Sequence, residues 1–290
     1  MKKEGAIRKT AGIRKAASVL ILAAFLITAA IFLIHKNAPC KIAMLHMNPE
    51  YHQKEANITE ICEMAAEAFE NGADIVLTPE MATDDYYLSK QDVVTYAGIR
   101  NMEAELAPIA ELADQYEGYI CVGFPEIAED GTLYNAAVLF DKEGTIVLHE
   151  RKRSIPDWNS VGELTPAVAD TEYGKIGIII CADAYFPENA AALGDLGADM
   201  ILSPVTWYPF DSVGHTDDDS VNSWTARARE NAVWFLACNR WGTEMYNGEI
   251  QDMNMGKSAV VSPKGEIVYQ YAAEDCRENT VLYYELKDGA

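Results

Sequence analysis

A chain of 290 residues with 45 acidic against 23 basic residues carries a formal charge of −22, which argues against a nucleic-acid or anionic-membrane binding face, since such surfaces need clustered positive charge. The length permits one large α/β core. Six cysteines, at positions 40, 62, 121, 181, 238 and 276, show no Cys-x-x-Cys pair and no metal-ligand spacing, so neither a metal centre nor a disulfide scaffold is expected.

The first fifteen residues hold Lys2, Lys3, Arg8, Lys9, Arg14 and Lys15 against Glu4 alone, and residues 16–34 then run nineteen positions without a charge. That run is close to the roughly 20 residues that span a membrane and longer than the apolar region of a secretory signal, the competing reading. The expectation is therefore a basic cytoplasmic tail at 1–15, a transmembrane signal-anchor at 16–34, a linker at 35–40 and a globular domain at 41–290, held outside the cytoplasm of a single-pass membrane protein. Without positions 1–40 the chain keeps 16 basic against 44 acidic residues, a net −28.

Strands and helices alternate from residue 41 onward. Residues 41–47 read as a strand, and 57–69 as a helix, because Ile58, Ile61, Ala65, Ala68 and Phe69 recur at helical spacing and Asn71-Gly72 closes it. A short apolar strand at 74–78, a helix at 101–116 and a strand at 119–124 follow. A hairpin then joins 134–140 to 145–149 through Asp141-Lys142-Glu143-Gly144. Residues 151–172, with Pro156, Gly162 and Pro166 and little periodicity, read as a long loop. Beyond it come a strand at 175–181, a helix at 188–196, a strand at 199–203, a helix at 220–233, a strand at 234–239 and a hairpin of 256–261 with 265–270. Such alternation implies an α/β fold whose sheet faces are covered by helices, with ligands beyond strand ends.

Three reactive residues stand where such strands end: Glu80 after Leu77-Thr78-Pro79, Lys152 after His149-Glu150-Arg151, and Cys181 after Ile178-Ile179-Ile180. An acid, an amine and a thiol are what a cysteine hydrolase without a histidine base needs: a proton acceptor, a fixed positive charge and a nucleophile. Singly, each has a plain structural reading, as a turn residue, a solvated cation and a buried core thiol. No histidine stands out as a partner for Cys181.

Flanking motifs tie the three together. Leu77-Thr78-Pro79-Glu80, the strand from Leu133-Tyr134-Asn135 through Gly144 to Arg151-Lys152, and Cys181-Ala182-Asp183-Ala184-Tyr185-Phe186-Pro187-Glu188 occur in the order seen in the nitrilase, or carbon–nitrogen hydrolase, superfamily, which the chain resembles from about residue 41 to 284. Arg227-Ala228-Arg229-Glu230-Asn231, Asn239-Arg240-Trp241-Gly242 and the Pro263-Lys264-Gly265 hairpin add to the likeness. The resemblance implies a four-layer α-β-β-α sandwich, a homodimer and no cofactor. It implies Glu80 as base, Lys152 as oxyanion stabiliser and Cys181 as nucleophile, with the N–H of Ala182 as a second oxyanion donor.

Glu126 matches a second acidic residue, expected to orient Lys152 and contact substrate. Tyr185 and Trp207, with Trp158 and Tyr208, are candidates to line the pocket, while Asp183 and Glu188 are expected to bond the loop around the nucleophile turn. True nitrilases carry Cys-Trp-Glu-Asn at the nucleophile; this chain has Cys181-Ala182-Asp183-Ala184, which favours a small amide or N-carbamoyl substrate. The same thioester captured by an amine would give an N-acyltransferase, and a spent active site would leave a membrane-tethered binding protein.

Overall fold

The computed structural model describes residues 39–153, 159–163, 165–207, 217–246, 249–252, 257–272 and 277–286. In chain order the main elements are β1 (Cys40–His46), α1 (Lys54–Glu70), β2 (Ile75–Leu77), α2 (Ala107–Tyr116), β3 (Tyr119–Ile127), β4 (Leu133–Phe140), β5 (Ile146–Arg151), β6 (Ala169–Thr171) and β7 (Gly174–Ile178). They continue with α3 (Pro187–Asp195), β8 (Met200–Val205), α4 (Asp217–Asn231), β9 (Trp234–Asn239), β10 (Thr243–Tyr246), β11 (Glu249–Asp252), β12 (Lys257–Val261), β13 (Ile267–Ala272) and β14 (Thr280–Leu286).

Two six-stranded sheets result, ordered β14-β1-β2-β3-β4-β5 and β13-β12-β9-β8-β7-β6. In each, three central strands run parallel, β1, β2 and β3 in one and β7, β8 and β9 in the other, with antiparallel strands on both flanks. The period of two along each strand sorts side chains between layers. Ile42 and Met44 of β1, Cys121 of β3 and Leu139 of β4 enter the core between the sheets. Their neighbours Ala43, Leu45, Ile120, Val122 and Val138 face α1 and α2 on the outside. Ala190 and Leu193 of α3 and Trp224 and Ala228 of α4 cover the second sheet, which completes the four-layer α-β-β-α sandwich.

Local chemistry explains the departures from the expected elements. The helix expected at 101–116 breaks into Met102–Glu105 and α2, with a proline in the first turn of the latter, where its missing N–H costs nothing. α1 starts earlier than its periodic apolar positions and buries Ile58, Ile61, Met64, Ala65, Ala68 and Phe69 on one stripe. The long loop contains the edge strand β6, and the C-terminal β14 returns to pair along the whole of β1.

The expected membrane anchor is corrected. Among the described residues no helix is long and apolar enough to cross a membrane, and the proposed span at 16–34, with the tail at 1–15, lies outside them. Single-pass anchoring and an extracytoplasmic catalytic domain therefore have no structural support. The homodimer implied by the resemblance likewise finds no interface to rest on in this one chain. Neither enters the functional reading below.

Gly123 on β3 is where the loop after β2 presses on the sheet. A Cβ there would lie 2.8 Å from the Pro79 carbonyl oxygen, 3.0 Å from the Met81 nitrogen and 3.1 Å from the Glu80 Cα, all backbone atoms that cannot swing aside. Gly123→Ala is expected to cost about 1–3 kcal/mol through overpacking; an unchanged urea midpoint would show that the loop yields freely.

Candidate active site

Glu80, Lys152 and Cys181 meet in the core between the sheets, with exposures of 0, 2 and 7%. Glu80 follows β2, Lys152 follows β5 and Cys181 opens the 3₁₀ turn Cys181–Tyr185 just past β7. Leu148, Glu150 and Lys152 alternate with outward-facing residues, so the parity of β5 aims the lysine inward. Its N–H continues the pairing with β4 by donating to the Asn135 carbonyl at 2.8 Å. Cys181 adopts φ 44°, a left-handed conformation that turns the thiol out of the strand direction at a cost of about 1–2 kcal/mol.

The Glu80 carboxylate is held on both oxygens. Oε1 accepts from Lys152 Nζ at 2.6 Å and Asn135 Nδ2 at 2.8 Å, and Oε2 accepts from the Thr206 N–H at 2.9 Å. The Thr206 hydroxyl donates to the Glu80 carbonyl at 3.1 Å, fixing the backbone as well. The Cys181 sulfur lies 3.7 Å from the Thr206 carbonyl oxygen. Lys152 Nζ also sits 5.5 Å from the centre of the Tyr86 ring, a cation–π distance.

Electrostatics follow from this enclosure. Burial opposes the lysine charge, but the facing Glu80 carboxylate outweighs it and Lys152 titrates well above an ordinary lysine. The stability this adds is complete at neutral pH and is lost only as strong alkali passes the folded value. Burial pushes the Cys181 thiol far up, Glu80 adds to the rise, and Lys152 pulls against it. Resting Cys181 is thus a thiol, and any attack by its sulfur would need a base to take the proton.

The supporting residues divide. Tyr185 and Trp207 form an edge-on pair with centroids 6.0 Å apart, and Trp207 follows the threonine that touches both acid and thiol. Asn239 fixes it in both directions, accepting from its N–H and donating to its carbonyl at 2.9 Å each. Ala182 is partly buried in the turn beside the thiol. Trp158 and Tyr208 lie outside the described residues.

Glu126 is placed differently from its expected role. Its two oxygens bind Arg151 Nη2 at 2.5 Å and Nε at 2.8 Å, and His149 Nε2 at 3.0 Å. Burial raises this carboxyl, but Arg151 and His149 bring it down to about 2. The reason is parity: Arg151 and His149 point outward from β5 where Lys152 points inward, so Glu126 and Lys152 lie on opposite faces of the sheet. Glu126 lines an outer cavity of about 690 Å³ with Arg100 and Glu129.

Asn135, Thr206 and Asn239 were not among the expected site residues. Asn135 and Asn239 stand inside the quoted Leu133-Tyr134-Asn135 and Asn239-Arg240 motifs, which was their signal. Thr206 had none, since its role depends on β8 ending beside β2. No group of His, Cys, Asp or Glu among the described residues has a metal-binding arrangement.

Comparison with known proteins gives the same neighbourhood. The family model described as carbon-nitrogen hydrolase matches residues 41–288. A citrullinase of Francisella tularensis subsp. tularensis is 29% identical over 263 residues, 85% of this chain and 88% of the relative. An N-carbamoylputrescine amidase of Arabidopsis thaliana is 30% identical over 241 residues, 78% and 79% of the two chains. The crystal structure of a Saccharomyces cerevisiae member of branch 10 of the nitrilase superfamily shares the fold with a TM-score of 0.73 at 23% identity, covering 86% of this chain and 90% of that one.

The buried pair yields a stability test. Lys152→Met leaves the Glu80 charge without its cation and is expected to cost about 3–5 kcal/mol in urea unfolding at pH 7. Adding Glu80→Gln should recover most of that loss because no charge is then stranded; a double variant as unstable as the single one would mean that packing carries the cost.

Proposed function

The chain belongs to the carbon-nitrogen hydrolase family and has its enzymatic activity, and we propose that it acts on a small amide or N-carbamoyl compound through a Cys181 thioester. The observation that carries this reading is the sharing of one buried carboxylate, Glu80, between the Lys152 ammonium and the Cys181 thiol.

Glu80 takes the thiol proton as the sulfur attacks the carbonyl carbon. The oxyanion that forms faces Lys152 and the N–H of Ala182, donors of a kind worth about 3 kcal/mol each. The C–N bond breaks as Glu80 returns the proton to the departing amine, leaving an acyl group on sulfur. Glu80 then takes a proton from water, whose oxygen attacks the thioester; the acid leaves and the thiol is restored. With an N-carbamoyl substrate the amine departs first, and the carbamic acid released in the second step falls apart to carbon dioxide and ammonia.

The small residues Ala182 and Ala184 around Asp183, in place of the Trp-Glu-Asn of true nitrilases, support amide-type substrates over nitriles. Relatives named as a citrullinase and an N-carbamoylputrescine amidase favour the carbamoyl branch of that choice. The acidity of the chain fits a substrate bearing a cationic group, such as a carbamoylated diamine or amino acid.

An ammonia-release screen over aliphatic amides, carbamoyl amines and nitriles, with Cys181→Ala as the blank, tests the reading. Cys181→Ala should abolish turnover with the fold intact. Cys181→Ser should be nearly inactive, because a carboxylate cannot readily deprotonate an alcohol. Turnover surviving in Cys181→Ala would require another nucleophile, and release from nitriles alone would overturn the substrate class.

A further inference from the structure

The core between the sheets holds a second carboxylate that the proposed chemistry does not use. Glu150 shares the inward face of β5 with Leu148 and Lys152 and is 8% exposed. Its partner is Arg153, Nη1 to Oε1 at 3.0 Å, so the ion pair reaches across the Lys152 position. The Arg153 backbone N–H donates to both oxygens of Asp183 at 3.1 Å. Asp183 is wholly buried two residues after the nucleophile; its N–H donates to the Ile180 carbonyl at 3.0 Å, and its carbonyl accepts from Asn189 Nδ2 at 2.9 Å. A short path, first an ion pair without hydrogen-bond geometry and then hydrogen bonds from the Arg153 backbone, therefore runs from β5, over the residue after Lys152, into the turn that carries Cys181.

We propose that Glu150 is a positioning residue for the reaction: by fixing Arg153 it anchors Asp183 and so sets how the Lys152 ammonium faces the Cys181 thiol. The inference rests on the Glu80, Lys152 and Cys181 reading above and extends it to a residue that touches none of the reacting atoms.

A merely structural role fits the energetics poorly. Burial pushes the Glu150 carboxyl up to about 7; Arg153, on its own strand extension, lowers it, and Asp183, from the nucleophile turn, raises it. A folded value above the ordinary carboxylate range means that the native state binds this proton more tightly than the unfolded chain. Ionised Glu150 thus costs stability above about pH 7, and the cost fades as pH falls toward the unfolded value. A buried pair of this kind is often replaced as a whole by neutral groups without loss of stability, whereas removing one partner strands the other charge. The carboxylate is kept at a cost to the fold, and below about pH 7 its protonation releases Arg153.

The test needs no substrate. Iodoacetamide is reacted with the full chain between pH 6 and 9, and alkylation of Cys181 and Cys62 is followed by peptide mass spectrometry. In the wild type, Cys181 reactivity should climb through a step near pH 7. In Glu150→Gln that step should vanish and the rate at pH 8 should fall about tenfold, as small displacements in an active site do; Glu150→Gln combined with Arg153→Met, which strands no charge, should lose the step equally with a Tm equal to or above that of the wild type. A wild-type rate and pH profile in Glu150→Gln would overturn the inference while leaving the catalytic reading intact. A drop in Tm in the double variant would overturn it by making the pair structural. A Cys181 alkylation rate left unchanged by Glu80→Gln would sink the underlying catalytic reading, and with it this extension.

Discussion

The contact on which this structure turns is the ion pair of Lys152 with Glu80 inside the core between the sheets. Removing two charges from water costs several kcal/mol per ion, and attraction offsets that only when the remaining hydrogen-bonding capacity is also met. Here it is met: Asn135 and the Thr206 N–H complete the carboxylate. Satisfying one glutamate therefore fixes the ends of β2, β4, β5 and β8 relative to one another. The thiol of Cys181 arrives in a place whose charges are already balanced, and its burial there, with Glu80 beside it, keeps it protonated.

The architecture that makes this meeting possible is doubled. β1-α1-β2-α2-β3-β4-β5 and β7-α3-β8-α4-β9-β12-β13 follow one pattern, with β14 beside β1 and β6 beside β7. No repeat is visible in the amino-acid sequence, because what the halves share is strand parity and connection, which many apolar residues satisfy equally. Glu80 stands after the second strand of one half and Cys181 after the first of the other, so the site forms where the sheets face each other.

Legibility in the sequence followed the range of the forces involved. Helix α1 and the strands from β1 to β9 could be read from local periodicity, except β6, whose three residues are ordered by their neighbour β7. β14 was missed for the same reason: its partner β1 lies more than two hundred residues away. The meeting of Glu80, Lys152 and Cys181 was legible because each ends a strand inside a motif. Glu126 bonds Arg151 and His149 instead of the lysine it was expected to orient, because a motif match does not reveal which face of the sheet a side chain takes. Thr206 was invisible, since its backbone N–H could bond a carboxylate only once β8 lay beside β2.

Strain completes the account of why chemistry is concentrated here. Cys181 and Met81, the residue after Glu80, both have left-handed backbones, with φ of 44° and 58°, a conformation that non-glycine residues adopt at a cost. Both are buried, so neither can relax toward solvent. Each bend is held by hydrogen bonds on its two sides: Glu80 N–H to the Val205 carbonyl and Asp84 N–H to the Met81 carbonyl at one, Asp183 N–H to the Ile180 carbonyl and Arg153 N–H to the Asp183 carboxylate at the other. Straightening either turn would carry the acid or the thiol back along its strand and separate them. The fold thus spends backbone strain to hold the Glu80 carboxylate against the Cys181 thiol, and the energy for that arrangement comes from the apolar core packed between the two sheets.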